Sequence, residues 1–354
     1  MKHSSAAIMV LGCALLIMIP LFSNGSCLAE EPLQTTLVSV KDTFQSEYLT
    51  LHLDAAVHAP NVDEAVEIFQ STFAVIDPDR FKAFIFGNDA EVIDEWNAMT
   101  PLQKKQSRMR FPEHELYYGA QVNGHDISTR YDVHNCALSI RFDHADYLLN
   151  WYEAEIVPES TLSTQMEESN HYIKGLADLG LDDLTFQNVY LIPQSKIFDD
   201  PAYRNPFYIA VYSRMLNHIP VAVDTIRWHI PGITPIYGPD EMLIMMDEDG
   251  VFRIAGHYRE YKAIATERIR ISLADALIIL KENMDYAPIR NQTESTISEI
   301  EFCYRLSPVV SPDSLDYNII VEARPAWRFA SKTNRNMESE FIMFIDAITG
   351  EVLR

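Results

Sequence analysis

Apolar and polar positions change their period several times along the chain, and each change marks an element. Residues 6–22 are an uncharged run, mostly Ala, Ile, Leu, Met and Val. Residues 48–58 alternate apolar and polar over much of their length, the two-residue period of a half-buried strand. Pro60-Asn61 stops that strand. Asn61 with Glu64 three residues on reads as a capping box, and Val62, Ala65, Val66 and Phe69 then fall on one face of a helix. Asp77-Pro78 opens another helix, with Pro in its first turn. Residues 115–122, 127–133 and 136–142 read as short antiparallel strands, with Asn123-Gly124 as a hairpin turn.

The rest of the chain runs twice through one order. In the first pass, 163–179 is a helix with Met166, Tyr172, Ile173, Leu176 and Leu179 on or near its apolar face, ended by Gly180. Strands follow at 186–192, closed by Pro193, and at 207–216, continuing over 219–223. Segments 241–246 and 251–254 then form a hairpin about Asp247-Glu248-Asp249-Gly250. In the second pass Ser272 caps a helix over 273–284, with Asp275 as its capping partner. Ala274, Ala276, Leu277, Ile278 and Leu280 supply its buried side. Strands follow at 297–306, with Ile300, Phe302 and Tyr304 on one face, and at 317–329, where Pro325 predicts an edge or a bulge. Residues 340–345, the turn from Asp346 to Gly350, and 351–353 close the chain.

An antiparallel sheet with one apolar face needs a cover, and one amphipathic helix supplies it. The other face and an edge are left for binding. The predicted fold class is therefore α+β: tandem helix-on-antiparallel-sheet units behind a mixed α+β N-terminal region. The expected divisions are a signal peptide at 1–29, the mixed region at 30–158, a first unit at 159–258 and a second at 259–354.

Charge narrows the partners. The 354 residues hold 28 Lys+Arg and 51 Asp+Glu, a formal net charge of -23. Such a surface repels phosphate backbones and anionic headgroups, which argues against nucleic acid and peripheral membrane binding. The N-terminus reads as an export signal. Lys2 and His3 precede the apolar run, Pro20 interrupts it, and Cys27-Leu28-Ala29 places small residues at a cleavage site after Ala29. An uncleaved anchor, at the short edge for a bilayer span, and a lipidated Cys27 or Cys13 are the alternatives. Either would be the chain's membrane contact. The expected location is secreted or at the extracytoplasmic cell surface. There Cys136 and Cys303 could pair, or serve as two small buried residues, which is the reading preferred.

The second unit resembles a PepSY-type domain. The resemblance rests on Ile271-Ser272-Leu273-Ala274-Asp275-Ala276-Leu277 at the helix start and on 341–353, an apolar strand followed by Asp346-Ala347-Ile348-Thr349-Gly350-Glu351-Val352. It covers about a quarter of the chain. The first unit matches only in its order of elements and in Gly250. The layout is similar to uncharacterised secreted proteins of Firmicutes and, more distantly, to the YycH and YycI type of extracytoplasmic regulators of a sensor kinase. The resemblance implies a non-catalytic module that binds or restrains an extracytoplasmic protein or peptide, often a sensor or a peptidase. It brings no catalytic or cofactor-binding residues.

Candidate chemistry is sparse. His134, Cys136 and His144 could meet around a zinc ion, but their spacing fits no standard zinc pattern. His114-Glu115 lacks the second His of a helical zinc-protease motif, since Tyr118 stands there. In a calcium loop built on Gly250, Met245 and Gly256 would occupy ligand positions, so a hairpin turn is expected instead. No nucleophile elbow, phosphate loop or dinucleotide fingerprint appears, and no cofactor is expected. Carboxylates are too abundant to single out a glycosidase pair. Trp151-Tyr152, Trp327 with Phe329, and Tyr203, Tyr208 and Tyr212 read as packing. Three functions fit: an exported non-enzymatic binding or regulatory protein, a secreted hydrolase of cell-wall or other polymers, and a passive envelope structural protein.

Overall fold

The alternation across residues 35–60 folds into a long hairpin, and the computed structural model builds outward from it. It describes residues 33–74, 76–87, 93–94, 100, 115–122, 125–132, 137–142, 155–193, 206–222, 240–286, 294–308, 321–331 and 341–353. Chain order begins with β1 (Thr35–Gln45), β2 (Thr50–Pro60), β3 (Ala65–Phe73), α1 (Pro78–Phe86) and β4 (Ile93–Asp94). Next come β5 (Glu115–Val122), β6 (His125–Asp132), β7 (Ala137–Arg141), β8 (Glu155–Val157) and α2 (Ser163–Asp178). β9 (Leu184–Ile192), β10 (Phe207–Leu216), β11 (Ile219–Pro220), β12 (Glu241–Asp247), β13 (Gly250–His257) and β14 (Arg259–Arg268) follow. The chain ends with α3 (Leu273–Asn283), β15 (Glu294–Pro308), β16 (Val321–Ser331), β17 (Ile342–Asp346) and β18 (Val352–Leu353). The class is mixed α+β, mostly sheet, with three α-helices among the described residues. None of them is long and apolar enough to cross a membrane.

The strands form two sheets. The first runs β1-β2-β15-β16-β17-β18, with β3 paired to β14 on one side and to the start of β16 on the other. The second runs β4-β5-β6-β7-β13-β12-β10-β9-β8, with β11 on β10. Segments from 35–73 thus share a sheet with the end of the chain, and β5–β7 share one with β9–β13. In each half a helix precedes four strands that lie side by side in order: β9, β10, β12 and β13 after α2, and β15 to β18 after α3.

Each sheet buries one face beneath a helix. Leu273, Ala276, Leu280 and Met284 share one core with Leu51, Leu53, Ile300, Phe302, Trp327, Phe329 and Ile345. The α3 helix therefore lies over β15, β16 and β17, as its amphipathic pattern requires. Met166 and Leu176 of α2 and Phe81 and Ile85 of α1 meet Tyr212, Ile244 and Ile254 in the other core. The Ser272–Asp275 capping box forms as expected, and Asp77 caps α1.

Four readings need correction. Residues 62–69 are not helical. Asp63 takes a φ of 72°, the chain turns, and Asn61 bonds the Glu64 side chain. Val66 and Ile68 are then buried at alternate positions of β3, where β14 and β16 complete the ladder. Residues 259–268, not expected to be a strand, form β14. In α3, Leu273, Ala276 and Leu280 set the buried register, which turns Ala274 outward and leaves Ile278 57% exposed. Finally, β16 is an interior strand. Pro325 falls between its ladder to β3, which ends at Ala323, and its ladder to β17, which starts at Ala326. A missing N–H there interrupts neither ladder. The turn at Asn123-Gly124 and residues 133, 136, 223, 317–320 and 340 lie outside the described residues.

Candidate binding surface

The end of the chain is pinned to the start of α3. Asp346 Oδ1 accepts from the Ile348 and Thr349 amides at 2.8 Å each, which bends 346–350 into a turn. Its Oδ2 accepts from Arg324 Nε at 2.7 Å. The Ala347 carbonyl accepts from the Arg270 and Ile271 amides, both at 3.0 Å. Trp327 Nε1 donates to the Ile271 carbonyl at 2.9 Å. Gly350 closes the turn at φ 76°, with Ile271 and Ile279 against it. The Asp-Ala-x-Thr-Gly run thus fixes where α3 begins. With α3 fixed over one face, this sheet is open, among the described residues, at its edges, along the outer flank of the helix and on the far side of β1 and β2, where Asp54, Ala56 and His58 are exposed.

Those edges differ. β14 is long, but its ladder to β3 is broken between Ala263 and Ala265, with Ile264 49% exposed. A bulge and alternating charges (Glu260, Lys262, Glu267, Arg268) are how exposed edges avoid stray pairing. β18 has two residues. In the second sheet, β4 has two and β8 three. β1 has eleven residues in unbroken register with β2.

A polar cluster sits where the sheets approach each other. Asp240 is 1% exposed and accepts from the Tyr261 hydroxyl at 2.6 Å and the Arg259 amide at 3.1 Å. Burial pushes its carboxyl up to about 6, against the pull of Arg214, the Tyr261 hydroxyl and Arg259. Arg214 of β10 lies over Tyr258, 4.3 Å from the ring centroid, and donates to the Asp182 carbonyl at 2.6 Å. Tyr258 donates to that same carbonyl at 2.7 Å. This cluster links β10, β12, β14 and the α2–β9 connection. Sequence reading missed it, and the signal was Tyr258-Arg259 with Tyr261, large polar residues at the start of a strand.

The residues singled out earlier fall as follows. His134, Cys136, His144, Trp151, Tyr152, Tyr203 and His114 lie outside the described residues. Cys303 is fully buried on the side of β15 away from α3, with Ala326 and Phe344. Trp327 and Phe329 are core residues with 0% exposure. Tyr212 is buried, donates to Asn170 Oδ1 and accepts from Ser169. Asp247 to Gly250 form a hairpin turn in which the Asp249 amide donates to Asp247 Oδ1. Thr43, His52 and Glu294 form a row: Thr43 Oγ1 lies 3.1 Å from His52 Nδ1, and His52 Nε2 lies 2.7 Å from Glu294 Oε1. The order hydroxyl, imidazole, carboxylate is that of a nucleophilic relay. Here it crosses three neighbouring strands in the open, with the Glu294 side chain 70% exposed. A shallow groove of about 590 Å³ is lined by Asn283, Ser307 and 350–353. Among the described residues, no three His, Cys, Asp or Glu side chains are placed to hold a metal ion.

No family model and no curated protein matches the chain. Similar solved structures share little sequence with the chain. An uncharacterized protein from Eubacterium rectale is 15% identical, covering 92% of this chain and 96% of that one, with a TM-score of 0.46. YycH from Bacillus subtilis is 10% identical, covering 87% of this chain and 56% of that one, with a TM-score of 0.37.

Proposed function

We propose that this is an exported, non-enzymatic protein that binds an extracytoplasmic protein, a sensor or a peptidase, and restrains or positions it. The observation that carries this reading is the clasp of 346–350 on α3, which holds a helix rigidly over one sheet face and leaves a long regular edge at β1. Preorganised backbone donors and acceptors at a sheet edge suit protein recognition. The repeated order of a helix and four antiparallel strands favours the tandem PepSY-like division at 159–258 and 259–354. The apolar run at 6–22 and the small residues before Glu30 support export.

The test is affinity capture from the native cell surface with the chain as bait, followed by titration of the purified partner. A saturable one-to-one isotherm is the expected result. Capture at background level, at both low and moderate salt, would reject the reading. A linear isotherm would favour a passive structural role.

A further inference from the structure

We infer that β1 is the docking strand, and that it takes an extended cationic segment of a partner protein as an added strand beside the flank of α3. This rests on the binding role proposed above and says where and what the protein binds.

The backbone of β1 is ready for such an addition. The Thr43 amide turns to the outer side, where Asp42 Oδ1 accepts it at 2.7 Å. In an antiparallel ladder, outward-facing residues alternate, so Leu37, Ser39 and Lys41 present their N–H and C=O groups to the same side. Their pairing is uninterrupted over the whole strand, unlike that of β14.

The helix supplies the second wall. Lys281 Nζ lies 5.7 Å from the centroid of the Phe44 ring, and Ser46 Oγ donates to Asp285 just beyond the helix. These contacts set the C-terminal half of α3 beside β1. Ile278, one turn before Lys281, is 57% exposed, and Val38 is half-buried. A strand laid along β1 would place every second side chain toward Val38, Val40 and α3, so that row should be apolar.

Charge selects the partner. Around this edge the exposed acids are Asp42, Glu47 and Asp285, with Asp54, which pairs with Lys41, and Glu294, beside His52, on the neighbouring strands; Lys281 is the further cation. A second copy of the chain would bring the same acids and its own charge of -23. An alternating segment bearing Lys or Arg is complementary, and its approach is steered by the field of the whole protein.

The experiment uses the full chain and synthetic peptides of about nine residues, the length that spans an edge strand. One alternates Lys with Val, one alternates Glu with Val, and one alternates Lys with Gly. The Lys–Val peptide is expected to bind saturably and to slow amide exchange at Leu37, Ser39 and Lys41. The other two should bind at least about tenfold more weakly. Ser39→Pro removes an outward donor while sparing the ladder to β2, and should weaken Lys–Val binding by about tenfold or more. Ile278→Asp, at an exposed helix position, should weaken it too and gives the reading if the proline variant misfolds.

Equal binding of the Lys–Gly peptide would overturn the proposal, since charge alone would then explain association. Unchanged affinity in both variants would overturn it while leaving the general binding role standing. Self-association through β1, detected by sedimentation and abolished by Ser39→Pro, would overturn it in favour of a homodimer edge.

Discussion

Trp327→Phe tests whether β16 pins the start of α3 from below. Trp327 is fully buried, packs edge-to-face on Phe302 with ring centroids 5.2 Å apart, and donates to the Ile271 carbonyl at 2.9 Å. Phenylalanine keeps most of the ring contact but removes the donor and part of the indole volume. The lost hydrogen bond is worth about 1 kcal/mol, and more if the buried carbonyl finds no new partner. The lost packing adds roughly 1 kcal/mol, a fraction of the 3–5 kcal/mol of a full Trp→Ala truncation. The expected destabilisation is therefore about 2–3 kcal/mol in urea unfolding, with an unchanged slope. Amide exchange at Ala276 and Leu280 should accelerate along with it. Phe302→Leu serves as the control, since it weakens the ring pair and leaves the indole bond. A Trp327→Phe variant within about 0.5 kcal/mol of the parent, with α3 exchange unchanged, would refute that pinning.

Leu280→Ala should cost about 3 kcal/mol by cavity formation, while Ile278→Ala should stay within about 0.5 kcal/mol; denaturant midpoints that rank them the other way would reject the helix register. Gly350→Ala should lower stability by roughly 1–2 kcal/mol, because a side chain at φ 76° is strained and its Cβ would lie 3.2 Å from Ile271 Cδ1. Asp240 holds its proton up to about pH 6 when folded and only to about 4 when unfolded, so its contribution makes stability fall as pH rises through that window, by about 3 kcal/mol at most. Asp240→Asn should flatten that part of a stability–pH profile, and an unaltered profile would count against a buried carboxyl. The caps at Asp77 and Asp275 work in the opposite sense. Hydrogen bonds hold both carboxyls below their ordinary value, chiefly from the Arg80 amide for Asp77 and the Ser272 side chain for Asp275, so their support is present above about pH 4 and is lost as pH falls further.

Local signals were legible where one residue type has one physical use. Ser272 with Asp275, Asp77-Pro78 and the glycines at 250 and 350 all stand where capping and turn chemistry put them. The alternation of Leu51, Leu53, Ala55 and Val57 was legible as a strand, but nothing in it names a partner. β2 pairs in parallel with β15, some 240 residues later, and such pairing is decided by the packing of whole faces. β3 was misread because Val66 and Phe69, both buried, also satisfy a helical spacing over a short run; the irregular register opposite Ile68 and Phe69 lets the strand bury both neighbours. Asp240, Arg214 and Arg259 could not be assembled from sequence, since they stand far apart along the chain and a single charged residue carries no sign that it will be buried.

These differences bear on how an edge could report on a core. The β1–β2 hairpin touches the rest of its sheet through a short parallel ladder, Thr50 to Leu53 against Glu294 to Ile297. Those few backbone bonds are worth about 2–4 kcal/mol net. Burial of Leu51, Leu53 and Val57 in the core that the hairpin shares with α3 and the neighbouring strands contributes more, about 6 kcal/mol at roughly 2 kcal/mol per side chain. The hairpin is therefore held mainly by that shared core. A strand added at β1 would stiffen that hairpin, and the same apolar contacts would tighten α3. Conversely, a cavity at Leu280 would loosen the hairpin and lower the affinity of its outer edge, although Leu280 itself touches no docked segment.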